Sequence, residues 1–168
     1  GAGYALENRV IVSRLFPEKF RELGVQHLAS FFAALQDSLA QWAPKEEGAA
    51  PLVVLLTPGP YNETYFEHAY IARYLGFMLL EGEDLAVVNN RVMVRTVSGL
   101  KRIDALWRRL DGDFADPLEL RTASALGVPG LVQAVQVPFQ GVQSVLDAIV
   151  GFQVRGAGAQ FLPHIGKL

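Results

Sequence analysis

Residues 52–82 constrain the fold of this chain more than any other stretch. LVVLL (52–56) is an unbroken aliphatic run with no polar alternation, the pattern of a strand covered on both faces. TPGPYNETYFEH (57–68) follows, and NETYFEHAYIARYLG (62–76) reads as a helix, with Asn62 as its N-cap and Gly76 as its stop. FMLLEG (77–82) then predicts a second buried strand. Strand, helix and strand at this spacing form a βαβ unit. Its two strands must be parallel, because so long a connection crosses over the sheet.

The flanks add helices before this unit and strands after it. Leu28, Phe31, Phe32, Leu35, Leu39 and Trp42 recur at steps of three and four, which predicts an amphipathic helix over 26–42. A shorter helix is expected from Pro17, a residue suited to a first helical turn. APKEEGAAP (43–51) is a polar, proline-bounded linker. LAVVNNRVMVRT (85–96) predicts a hairpin turning at Asn89-Asn90 and projecting from the sheet. RIDALWRRL (102–110) predicts a further strand, with 103–108 as its sheet-forming part, and a helix is expected over 126–135 from Pro129. The whole is α/β: a small Rossmann-like unit with a mostly parallel sheet, flanking helices and a β-hairpin. Its expected divisions are a helical segment (1–50), the Rossmann-like domain (51–136) and a C-terminal segment (137–168) without steady periodicity.

Composition narrows the function. Fifteen Lys and Arg stand against seventeen Asp and Glu, a net charge of −2, and no basic stripe interrupts the chain. That argues against nucleic acid as a partner. No apolar run is long enough to span a membrane, and GAGYALENR has no secretory leader pattern. With no cysteine there is no thiol chemistry, and a reducing cytoplasm fits. Positive mean hydropathy, +0.22, suggests apolar surface meant for a partner.

Several residue groups invite a chemical reading. The 57–62 loop, between a strand end and a helix start, has the form of an anion site built on helix N–H groups. It lacks Gly-Lys-Ser/Thr and Gly-x-Gly-x-x-Gly, so the residues alone favour a turn with a cap over a ligand loop. Glu67 and His68 are adjacent and diverge by about a hundred degrees on a helix, which favours a polar contact to a nearby loop over a shared ligand. His27, His68 and His164 make no cluster, so no metal site is expected. In RRLDGDFADP, only one of Arg108 and Arg109 can face a given side of a sheet, and Asp111, Asp113 and Asp116 lack calcium-loop spacing. A local ion-pair and turn network stands beside a binding role there. Glu7 and Arg9 lie in a stretch expected to fray. A hydrolase is excluded: no Gly-x-Ser-x-Gly elbow and no histidine placed to serve a serine.

GAGYALENR, VVLLTPGPYNETYFEHAYIARYLG, EGEDL, WRRLDGDFADPLELR and LGVPGLVQAV resemble, in order, the circularly permuted ATP-grasp family over residues 1 to about 135. FLPHIGKL (161–168) is similar to a later stretch of that family, whereas 137–160 depart from it. The resemblance implies a pre-ATP-grasp domain, which shapes the substrate side of the cleft. Thr57, Gly59, Tyr61, Asn62, Arg108, Arg109 and Asp111 would then contact a small carboxylate or peptide substrate, none of them catalytic. The family's acidic metal-binding run and nucleotide-binding lysines have no counterpart here. ATP and Mg²⁺ are therefore implied for an intact protein, with no cofactor expected in this chain. The functional expectation is a non-catalytic part of an ATP-dependent carboxylate–amine ligase of peptide or amino-acid type. Its partner would be the remaining ATP-grasp module, and on its own it would form a homodimer or higher oligomer through Phe31, Phe32 and Trp42. The alternative is a stand-alone binding or interaction module with no chemistry of its own.

Overall fold

A computed structural model describes residues 1–43 and 50–136, so most of the expected linker and all of the 137–168 segment fall outside the described residues. Helices α1 (Ala2–Leu15), α2 (Pro17–Glu22) and α3 (Ala29–Trp42) come first. Strand β1 (Val53–Leu56), helix α4 (Tyr65–Leu75) and strand β2 (Met78–Leu80) follow. Then come β3 (Leu85–Val88), β4 (Arg91–Thr96), β5 (Gly99–Arg102), β6 (Ala105–Arg108) and α5 (Leu131–Gln136).

β1 is the central strand of a parallel sheet ordered β2-β1-β6, with Leu56 opposite both Leu80 and Arg108. All four β1 residues are buried, as the unbroken aliphatic run requires. The reason is a layer on each face. Leu55 packs with Leu6, Phe32, Ile71, Ala72 and Leu75 from α1, α3 and α4. Val54 and Leu56 pack with Leu80, Leu85, Val94, Ile103, Leu106, Val128 and Leu131. Each such aliphatic side chain taken from water contributes about 1.5–3 kcal/mol, so the two cores together set the order of layers.

That second layer corrects the expected hairpin. β3 and β4 do pair as predicted, turning at Asn89 (φ 52°) and Asn90 (φ 57°). They do not project: β5 adds a third strand, and Leu85 and Val94 press this antiparallel sheet onto the core. β5 was not expected, because GLKR shows three exposed residues and no apolar alternation. The predicted 102–110 strand consequently begins only at Ala105.

Other boundaries move for local reasons. β2 is an edge strand with Met78 exposed, so it is not buried on both faces. α4 starts at Tyr65, not Asn62; Gly76 (φ 70°) ends it as expected. α5 starts at Leu131, because Gly130 adopts φ 82°. The expected fraying of residues 5–9 is also overturned. α1 is a full helix whose buried Gly3 and Leu6 seat it on α4, and a Cβ on Gly3 would lie 2.6 Å from the Glu67 carbonyl oxygen. Pro17 opens α2 as predicted. In α3, Phe32 is buried at 1% exposure and is therefore unavailable to a second copy, whereas Phe31 is 58% exposed.

Candidate functional site at the parallel strand ends

Three parallel strands end together, placing Thr57, Glu81 and Arg109 side by side. Thr57 N–H donates to the Leu80 carbonyl and Arg109 N–H to that of Leu56, so the ladder continues one residue past each strand. Ligands in open α/β sheets gather at this edge. A cavity of about 110 Å³ opens here, lined by Thr57, Pro58, Glu81, Gly82, Glu83 and Leu126.

Strand alternation separates the two arginines, as expected. Arg109 follows Leu55's side of the sheet: its guanidinium pairs with Glu67 of α4 and lies 5.7 Å from the Trp107 ring centre. Arg108 turns to the opposite face, where its guanidinium donates to the Leu110 carbonyl and lies against Gly112. Burial lowers its pKa, and the Asp111 carboxylate works against that shift.

Glu67 is fully buried, and a buried carboxylate needs partners. Arg109 supplies one, and the Gly1 nitrogen lies 2.8 Å from Oε2 as a charge contact. Burial alone would raise its pKa; the Gly1 ammonium and Arg109 outweigh it and hold the carboxyl below its ordinary value. Breaking such a pair from one side costs about 3–5 kcal/mol, which makes it a staple between α4 and β6.

His68, 1% exposed, ties the loop together. Its Nδ1 lies 3.0 Å from Thr57 Oγ1 and its Nε2 3.2 Å from Thr64 Oγ1. Gly59 N–H donates to Thr57 Oγ1 at 3.3 Å, and Asn62 Oδ1 accepts from both the N–H (2.9 Å) and the hydroxyl of Thr64. Asn62 thus caps the turn before α4, not the helix itself. Burial first, then Arg109, lowers the His68 pKa to about 4, so the ring is neutral at ordinary pH. The polar helix-to-loop contact expected of Glu67 and His68 is what the structure has.

The remaining residues distribute as follows. Gly59, at φ 96°, passes so close to Glu81 that a Cβ would lie 2.7 Å from its carboxylate. Tyr61 is wholly exposed, and Asn62 is half-buried. The loop's own acceptors take the N–H groups of Gly59, Asn62, Thr64 and Tyr65, and Pro58 and Pro60 have none. Asp111 is exposed beside Arg108, while Asp116 is buried and accepts from Leu118, Gly130 and Val132 N–H. Among the described residues no three His, Asp or Glu side chains gather to hold a metal. Nor is any described helix long and apolar enough to cross a membrane.

Sequence reasoning set Glu67 and His68 aside and did not single out Glu81. The i,i+4 spacing of Thr64 and His68 was a readable signal; the contacts to Thr57 and Arg109 depend on the tertiary fold.

Comparison with known proteins covers almost the whole chain. A family model described as circularly permuted ATP-grasp type 2 matches residues 1–165, some thirty residues beyond the resemblance read from motifs. An uncharacterized protein of Synechocystis sp. is 44% identical over 133 residues, covering 79% of this chain and 27% of its own length. Two uncharacterized proteins of Mycobacterium tuberculosis are 38% identical over 168 residues (99% of this chain, 19% of the relative) and 43% identical over 151 residues (90% and 27%). The chain spans about a fifth to a quarter of these relatives.

Proposed function

The chain belongs to the circularly permuted ATP-grasp type 2 family, and from that premise we propose that it is the substrate-side, non-catalytic part of an ATP-dependent carboxylate–amine ligase of peptide or amino-acid type. The observation that supports this most is the gathering of Thr57, Gly59 and Arg109 at one edge of a parallel sheet, where such folds receive ligands. In this reading Arg109, oriented by Glu67 and backed by Trp107, meets a substrate carboxylate. Thr57, Gly59 and Asn62 shape the loop, exposed Tyr61 covers the ligand, and Arg108 with Asp111 supports the strand end from the other face. ATP would supply the phosphoryl group that activates the carboxylate, and Mg²⁺ would neutralise its charge. In this reading both are held by the remaining module of the intact polypeptide, which carries the chemical step. The absence of cysteine supports a cytoplasmic setting.

Calorimetry and amide spectra test the reading. ATP with Mg²⁺ should give no micromolar binding to this chain, and a short peptide at millimolar concentration should shift the Thr57, Gly59 and Arg109 signals. Micromolar, Mg²⁺-dependent ATP binding overturns the division of labour, and peptide shifts confined to other surfaces overturn the site. In isolation the chain should self-associate through exposed apolar residues such as Ile11, Leu15, Phe16 and Phe31. Light scattering giving a monomer of 18.4 kDa would refute that.

A further inference from the structure

The chain of hydrogen bonds around His68 has one direction, which follows from its fixed end. Thr64 N–H can only donate, so the Asn62 atom facing it is the carbonyl oxygen, Oδ1. That same oxygen receives the Thr64 hydroxyl proton. Thr64 Oγ1, its proton spent, can only accept from His68 Nε2, which must carry a hydrogen. In a neutral ring Nδ1 is then the acceptor, and the Thr57 hydroxyl donates to it while accepting from Gly59 N–H. Each donor in this run, from Gly59 N–H to Thr64 N–H, thus meets an acceptor.

We propose that His68 is the positioning residue of the strand-end loop: as the neutral Nε2–H tautomer it joins Thr57 to Thr64, and protonating it releases residues 57–64. A proton on Nδ1 would point at the Thr57 hydroxyl, whose own hydrogen then loses its acceptor in a buried site. The charged groups facing the ring are Arg109 from the end of β6, the Gly1 nitrogen from α1 and Glu67 from α4 itself. Burial opposes a charge on the ring most, Arg109 and the Gly1 nitrogen oppose it further and Glu67 favours it, with the pKa lowered to about 4. This inference goes beyond the ligase reading and stands apart from it, since it concerns the state of the loop with no ligand bound.

Long-range proton–nitrogen spectra of the full chain, with His68 assigned by the signal missing in His68→Gln, read the tautomer directly. The expected result is a protonated Nε2 and an unprotonated Nδ1 at pH 7, persisting at pH 6. An Nδ1–H tautomer, or a His68 ring already doubly protonated at pH 6, overturns the proposal. A second measurement at neutral pH is Thr57→Val, which removes the donor to Nδ1 and the acceptor of Gly59 N–H. Amide exchange at Thr64, whose own acceptor on Asn62 is left in place, should quicken roughly tenfold while α4 amides keep their protection. Unchanged exchange at Thr64 would show that the loop is held by something other than His68.

Discussion

Asp116 offers the sharpest test of whether the acidic stretch after β6 is structural. It is fully buried, and its two oxygens accept three backbone N–H groups: Leu118 at 2.9 Å and Gly130 at 3.1 Å on Oδ1, and Val132 at 2.9 Å on Oδ2. The side chain thereby fastens the 111–121 loop to the start of α5, where helix donors have no internal partners. Asp116→Ala leaves all three donors behind. At about 1.5 kcal/mol for each buried donor left without a partner, the loss is about 4–5 kcal/mol. Leu118 lies at the surface, where water can take its N–H, which reduces the figure to about 3 kcal/mol. With a urea dependence of about 2 kcal/mol/M, the unfolding midpoint should fall by about 1.5 M. Asp116→Asn keeps one oxygen for two donors but turns an amide toward Val132 N–H, so its cost should be smaller, about 1–2 kcal/mol. Urea melts followed by circular dichroism read both. A midpoint shift below about 0.3 M for Asp116→Ala would refute the capping argument, at a urea dependence of that size.

Three further outcomes follow from the same structure. Because His68 binds its proton only near pH 4 when folded, against 6.5 unfolded, the unfolded chain holds more protons between those values. Stability should therefore fall by up to about 3 kcal/mol as pH drops from 6.5 toward 4, with lowered Glu67 adding a further loss below its unfolded value of 4.5; a flat profile across pH 4–6.5 in urea melts would contradict this. Asn90→Gly should raise stability by about 0.5–1 kcal/mol, since glycine adopts the φ of 57° without steric cost, and an unchanged or lowered melting temperature would count against the turn assignment. Gly127→Ala should cost more than about 3 kcal/mol, because its Cβ would lie 2.2 Å from the Phe114 carbonyl oxygen, a backbone atom that cannot rotate aside; near-normal stability by thermal denaturation would show that the two segments separate easily.

What the sequence disclosed and what it hid divide along a physical line. The β1 run, the Leu28, Phe32 and Leu35 part of the α3 stripe, Gly76 and the Asn89-Asn90 turn are local signals, each set by burial on a repeat or by one backbone angle, and they appear in the fold, although α3 begins at Ala29 and Phe31 is exposed. β5 was illegible because its side chains are exposed or half-exposed and its place depends on hydrogen bonds to β4. α1 was misread for the same kind of reason. Its apolar residues form no strong stripe, and the contacts that seat it, Gly3 against Glu67 and Leu6 in the core with Ile71, exist only once α4 is in place.

The strand-end site shows the same limit in its chemistry. Alternation along β6 already required Arg108 and Arg109 to part, but not which of them would face α4. The answer comes from Leu55: its side of β1 packs on the helices, and Arg109 continues that side of β6 one residue beyond the strand. There the buried Glu67 needs a cation and Arg109 meets that need. His68 is the next residue on the same helical turn, rotated by about a hundred degrees. Its ring therefore reaches Thr57, at the end of the central strand, while Glu67 takes the Arg109 guanidinium. Two adjacent residues on one helix thus fix two neighbouring strand ends, Glu67 through charge and His68 through hydroxyls. Their divergence, which argues against a shared ligand, is what lets a single turn of α4 organise the whole edge.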